Sequence, residues 1–67
     1  MYNSFYVVVR NKANKRSVVG RDCGTLDFAT LMAEAERRRT GREVWVREYE
    51  QDSVFGERKL LQEHAVA

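Results

Sequence analysis

The chain is short, and its composition is that of a folded domain. Its 67 residues suit a single domain, 1–67, with 43% hydrophobic and 33% charged residues, which argues against a disordered chain. The longest apolar run, at residues 5–9, is far shorter than the ~20 residues that span a bilayer, so we expect no membrane partner. A lone cysteine, Cys23, excludes an internal disulfide. Together with the lack of a recognisable export signal, it predicts a cytoplasmic location.

Charge is distributed unevenly along the chain. Residues 1–21 carry five Lys or Arg and no acid, whereas residues 22–67 carry seven Lys or Arg against ten Asp or Glu. Such asymmetry predicts two faces that meet differently charged partners, or that stack head to tail in a homodimer.

The first two elements are predicted to be strands of one hairpin. Phe5–Arg10 is rich in β-branched and aromatic residues and is apolar on both faces, which favours a central strand. The polar segment 11–15 contains two asparagines, which tolerate turn geometry. We therefore expect a second strand, from about Arg16 to Cys23, to pair back onto the first.

A helix is predicted from Leu26 to about Arg39. Thr25 has a hydroxyl suited to the N-cap, and Asp27 suits the positively polarised first turn. Arginines at 37–39 oppose the negative end of the helix dipole, and Gly41 suits the C-terminal cap.

The sequence leaves open which side of this helix covers the sheet. Packing the large residues Phe28, Leu31 and Met32 into the core is the usual arrangement. If Ala29 and Ala33 face the sheet instead, the helix can sit close to it. The three large residues would then form an exposed partner or dimer patch.

The second half of the chain predicts another hairpin. Glu43–Glu50 alternates as a strand, residues 51–57 form a loop, and Arg58 to about Ala65 is interpreted as a fourth strand. A short helix is the alternative for this last segment, because its leucines and His64 also fit helical spacing. The prediction is an α+β fold in the order ββαββ, with one helix packed on a four-stranded, mainly antiparallel sheet of order 2-1-3-4.

We find no pattern that predicts catalysis. His64 is interpreted as a surface or edge-strand histidine, and Cys23 as a small buried residue rather than an activated thiol. The chain has no glycine-rich phosphate loop and no cluster with metal-ligand spacing. We therefore predict a protein that is not an enzyme and has no catalytic residues, metal or cofactor.

The sheet face away from the helix is the predicted binding surface. Aromatic residues interleaved with arginines could stack on bases and contact phosphates, although cross-strand pairs that merely stabilise the sheet are the alternative. The predicted partner-binding residues are Arg10, Lys12, Lys15, Arg16, Trp45, Arg47 and Tyr49. The apolar helix residues Phe28, Leu31 and Met32 form the predicted secondary interface.

The layout resembles very small α/β proteins of bacteriophages, including anti-CRISPR proteins and inhibitors of host RNA polymerase. The resemblance rests on size, on the strand-hairpin, helix and strand order, and on two segments, Phe5-Tyr6-Val7-Val8-Val9-Arg10 and Gly41-Arg42-Glu43-Val44-Trp45-Val46-Arg47-Glu48. It implies a stoichiometric inhibitor that occludes a host protein or ribonucleoprotein complex, a CRISPR effector being the first candidate. The alternatives are a small nucleic-acid-binding regulator and a structural or assembly protein.

Overall fold

A computed structural model describes residues 2–52 and 56–66. Within these ranges the chain forms β1 (Tyr2–Arg10), β2 (Arg16–Val19), α1 (Leu26–Thr40), β3 (Val44–Gln51) and β4 (Arg58–Ala65). The predicted ββαββ order and α+β class are confirmed. Part of the predicted 51–57 loop, residues 53–55, lies outside the described residues, and Gln51 belongs to β3 rather than to the loop.

The strands form one antiparallel sheet in the order β2-β1-β3-β4, as predicted. β1 is a central strand, and the side chains of Val7 and Val8, which point to opposite faces, are both buried. β4 pairs with β3 through residues 58–65, so the helical alternative for this segment is wrong. Long-range pairing overrides the local helical spacing of its leucines.

Two boundaries of the first hairpin differ from the prediction. β1 begins three residues earlier than expected, because Tyr2 pairs with Gln51 at the end of β3. β2 ends at Val19 rather than Cys23, because Gly20 adopts a left-handed conformation with φ 77° and turns the chain away from the sheet. The carboxylate of Asp22 accepts hydrogen bonds at 2.9 Å from the backbone N–H of Phe5 and of Gly24, which fastens the departing segment to β1.

The helix is capped as its sequence predicts. The hydroxyl of Thr25 accepts a hydrogen bond from the backbone N–H of Phe28 at 3.1 Å. At the other end, Gly41 has φ 71° and its N–H donates to the carbonyl of Arg37 at 2.7 Å. The two caps satisfy backbone groups that a helix end otherwise leaves unpaired.

The small side of the helix faces the sheet, so the usual arrangement with large residues in the core is wrong here. Ala29 and Ala33 are fully buried against a core of three valines, Val7, Val44 and Val46. Phe28, Leu31 and Met32 remain 51%, 61% and 44% exposed. Alanine lets the helix approach the two central strands closely, and α1 packs on β1 and β3 without reaching either edge strand.

Among the described residues, no helix has the length and apolarity needed to cross a membrane.

Candidate binding face of the sheet

The sheet face opposite the helix brings together aromatic rings and guanidinium groups. Strand alternation and register place their side chains on this side, with Tyr6 opposite Arg47, Val8 opposite Trp45, and Arg10 opposite Arg16. The pairing of β4 adds residues that face the same way, among them Arg58 and Glu63. We call this set the arginine face: Tyr6, Arg10, Arg16, Trp45, Arg47, Tyr49, Arg58 and Glu63.

Trp45 lies on the predicted side of the sheet but is not open to solvent. The guanidinium carbon of Arg16 lies 4.2 Å from the centroid of the Trp45 ring, and that of Arg10 lies 5.1 Å from it. These cations are attracted to the negative face of the indole and shield its apolar surface. The ring is therefore only 7% exposed, so a base could stack on it only after displacing the two arginines.

A second aromatic group lies farther along the same face. The rings of Tyr6 and Tyr49 meet edge to face with centroids 5.6 Å apart. The guanidinium carbon of Arg58 lies 5.0 Å and 4.9 Å from these two centroids. Sequence reasoning missed Arg58, because its face depends on the β3–β4 register, which shifts by one residue at Glu48 and Tyr49.

Glu63, on β4, links the arginines of two other strands. Its carboxylate accepts a hydrogen bond from Nε of Arg47 at 2.8 Å and contacts Nη1 of Arg16. The hydrogen bond to Glu63 raises the pKa of Arg47 above its usual value. Sequence reasoning also missed Glu63, although a strand from 58 to 65 paired with β3 could have suggested it as a partner for Arg47.

The arginine face carries net positive charge. Within the described part of the chain, three of its four guanidinium groups form ion pairs with two carboxylates. Arg16 and Arg47 pair with Glu63, and Nε of Arg10 lies 3.4 Å from Glu43. The side chains of Arg16, Arg10 and Arg47 keep 45%, 30% and 24% of their surface exposed. Their outer surfaces can therefore meet a carboxylate or a phosphate.

The β1–β2 hairpin extends this charge. Lys12 and Lys15 are exposed on its turn, beside the ends of β1 and β2 that carry Arg10 and Arg16. Asn14 adopts a left-handed conformation with φ 62°, and its carbonyl and side-chain oxygens accept from Nη1 of Arg10 at 3.2 and 3.3 Å. The structure thus places both predicted lysines on the hairpin turn at the Trp45 end of the sheet, where Lys12 also borders the helix side.

The residues predicted for partner binding and for the secondary interface lie on two separate surfaces. Tyr49 belongs to the group around Arg58, away from the hairpin, while Arg47 connects to Arg16 through Glu63. The helix patch of Phe28, Leu31 and Met32 lies on the other side of the sheet and is a separate surface.

No family model, curated protein or solved structure resembles this chain closely enough to count as a match.

Among the described residues, no group of three or more His, Cys, Asp or Glu could hold a metal ion. Cys23 is half-buried, and burial, reinforced by Asp22, raises the pKa of its thiol, which keeps it protonated and weakly nucleophilic near neutral pH.

Proposed function

We propose that this protein is a non-catalytic binding protein that occludes a host protein or ribonucleoprotein complex, with the arginine face as its docking surface. The observation that supports this is the set of guanidinium groups held over aromatic rings on a sheet face that no described element covers. Arg, Trp and Tyr dominate the energetics of protein interfaces. A CRISPR effector is the first candidate, in keeping with the resemblance to phage inhibitors.

The cation–π contacts favour a docking surface in a second way. An arginine that already rests on a ring has fewer rotamers to lose when it binds, so less conformational entropy opposes association. Arg10 and Arg16 share one ring, and Arg58 lies over two others. The donors are therefore preorganised before a partner arrives.

Burial of the aromatic rings favours contacts with carboxylates or phosphates over stacking on bases. A single-strand reader needs rings whose faces are open to the bases. Trp45 is 7% exposed beneath Arg10 and Arg16, and the two tyrosines share Arg58. A base could reach these rings after displacing the arginines, which would forfeit the cation–π contacts.

A small nucleic-acid-binding regulator is the second candidate. The observation in its favour is the continuity of the arginine face with the hairpin lysines, Lys12 and Lys15. Such a cationic strip can follow a phosphate backbone without reading its sequence.

The experiment measures binding of the purified protein to purified guide-loaded CRISPR effectors, and the resulting loss of target cleavage. The test variant, Arg16→Gln with Arg58→Gln, removes the two arginines of the face that lie on the edge strands β2 and β4. The matched control, Arg38→Gln with Lys59→Gln, removes the same charge from positions off the face. We expect the test variant to bind at least about tenfold more weakly and the control to bind like the parent protein.

Free single-stranded RNA and duplex DNA are titrated in parallel at several salt concentrations. If they bind tightly, with an affinity that falls steeply with salt and depends on Arg16 and Arg58, the regulator replaces the inhibitor as the favoured function. If no effector is bound or inhibited, the CRISPR assignment is wrong. If the two variants bind their target equally well, the arginine face is not the docking surface.

A further inference from the structure

A groove runs between the edge strand β2 and the helix, on the opposite side of the sheet from the arginine face. It exists because α1 packs on β1 and β3 and does not extend over β2. Its inner part encloses about 190 Å³ and its outer part, next to the hairpin, about 690 Å³. We call it the β2 groove, lined by Val19, Cys23 and Met32 at the inner end and by Lys12, Arg39 and Arg42 at the hairpin end.

The strand that borders the groove has an open edge. β2 pairs with β1 on one side, and no described strand pairs with its other side. The backbone N–H of Asn11 donates to the carbonyl of Lys15 at 2.8 Å. Since antiparallel partners alternate between bonded and non-bonded pairs, the backbone groups of Arg16 and Val18 point toward the open edge. Such an edge is a template for another strand.

The inner end of the groove suits one aliphatic side chain. Val19 and Cys23 pack at the margin of the core, and Met32 lies on the helix side. The thiol of Cys23 stays neutral because burial raises its pKa. Met32 is 44% exposed, and its flexible thioether can adapt to an incoming side chain.

The hairpin end of the groove favours an acidic occupant. Lys12, Arg39 and Arg42 line it together with Glu36. That carboxylate is already held by Arg39, with Nε to Oε1 at 3.1 Å and Nη2 to Oε2 at 2.8 Å. The balance of charge along this part of the groove is therefore positive and complementary to carboxylates.

The same charge argues against a second copy of this chain as the occupant. If two β2 strands paired edge to edge about a twofold axis, Lys15, Arg16 and Arg21 of one copy would lie near the same residues of the other. Like charges placed together across an interface are unfavourable. A partner strand of opposite charge avoids this repulsion.

We propose that an extended acidic segment of a partner protein adds to the open edge of β2 as a fifth strand. One aliphatic side chain fills the inner end of the β2 groove, and carboxylates contact the cations at the hairpin end. The hairpin residues Arg10 and Lys12 border both this site and the arginine face. The cations changed to test each surface differ, Arg16 and Arg58 for the arginine face and Arg39 for the groove, so either surface can be disabled while the other is tested.

The probe is a fluorescein-labelled peptide, Thr-Ile-Thr-Asp-Thr-Glu-Thr. Its Ile, Asp and Glu share one face of an extended strand. In antiparallel pairing with β2 the Ile reaches the Val19 end and the acids reach the hairpin end. We expect saturable binding that weakens with salt, whereas a peptide with Lys in place of Asp and Glu binds at least about tenfold more weakly.

Two pairs of protein variants locate the site. Val18→Pro removes an edge N–H that does not bond to β1, and such edge positions tolerate proline; Val18→Ala keeps this N–H. Arg39→Gln removes a cation from the groove, whereas Arg38→Gln removes one from the same helical turn outside it. We expect at least about tenfold weaker peptide binding for Val18→Pro and Arg39→Gln, and little change for the two controls.

Peptides N-methylated on alternate residues test strand addition without altering the protein. One set blocks the peptide edge that faces β2, and the other blocks the outer edge. The proposal requires that only one of the two sets abolishes binding; loss or retention in both overturns it. Absence of saturable binding also overturns it, as does a concentration-dependent dimer that Val18→Pro dissociates, since the open edge would then belong to a second copy.

Discussion

At the scale of single residues, Ser4 is the least well satisfied buried group. It lies on β1, is fully buried, and its hydroxyl has no hydrogen-bond partner among the described residues. An unpaired buried hydroxyl costs free energy, because it has lost its water without gaining a partner.

We predict that Ser4→Ala stabilises the protein by about 1 kcal/mol. The change removes only the hydroxyl and leaves the volume nearly constant. The free energy of unfolding is measured by urea denaturation, with Ser17→Ala on the half-exposed edge strand as the control. A loss of stability in Ser4→Ala would mean that the hydroxyl is bonded.

Glu48 is the opposite case, a carboxylate surrounded by donors. Gln62 and Asn3 donate to it at 3.0 and 2.8 Å, and Nε2 of His64 lies 3.1 Å from Oε1. The hydrogen bond from Gln62, followed by that from His64, lowers the pKa of Glu48 below its usual value of 4.5. These contacts fasten β4 and β1 to β3 on the helix side of the sheet.

The lowered pKa of Glu48 predicts a dependence of stability on pH. A carboxyl group that is more acidic in the folded state stabilises the fold above its unfolded pKa and loses this contribution as pH falls through its folded value. The thermal midpoint of the parent protein should therefore fall more steeply below pH 4.5 than that of Glu48→Gln. Glu50→Gln, two residues along the same strand, is the matched control and should follow the parent. If the thermal midpoint falls equally steeply with pH in all three proteins, Glu48 does not cause the loss of stability in acid.

At the scale of elements, the contact between α1 and the sheet depends on two alanines. Ala29 and Ala33 have no exposed surface, whereas Leu31, on the outer side of the same helix, is 61% exposed. The helix is therefore held by close approach of its backbone to the valines of β1 and β3 rather than by its largest side chains.

We predict that Ala29→Leu destabilises the protein by about 1–3 kcal/mol, because the larger side chain pushes the helix away from the sheet. Leu31→Ala should change stability by less than about 0.5 kcal/mol, as at other surface positions. Urea denaturation measures both. The reverse ranking would show that the large residues form the core.

At the scale of the whole molecule, one sheet and one helix share a small core. Within the described part of the chain, five buried residues form its centre, Val7, Ala29, Ala33, Val44 and Val46. A domain of this size has a net stability of only about 3–5 kcal/mol. The helix spans both central strands, so it cannot leave the sheet without exposing most of this core.

We predict that the protein unfolds in one cooperative step. Helix content, followed by circular dichroism, and the environment of Trp45, followed by fluorescence, should change with the same urea midpoint. The two signals come from opposite faces of the sheet, so coincidence tests whether both faces depend on one core. Separate midpoints would show that the helix or the arginine face can come apart by itself.

The sequence by itself determined the order of the elements and the kind of each except the last, which also fitted a short helix. The run of Val7, Val8 and Val9 marked a central strand. Thr25 and Gly41 marked the helix ends, because capping acts within a few residues and depends on nearby side chains. Alternation also placed Arg10, Trp45 and Arg47 on the side of the sheet away from the helix.

Only the tertiary structure decided which groups meet. The β3–β4 register places Arg58 over Tyr6 and Tyr49, and it brings Glu63 into contact with Arg16 and Arg47. The guanidinium groups of Arg10 and Arg16 cover Trp45. The helix contacts the sheet through its alanines, although the same helix carries larger apolar residues. These outcomes depend on distances between segments far apart in sequence, which local patterns do not specify, because side-chain packing and register are settled by the fold as a whole.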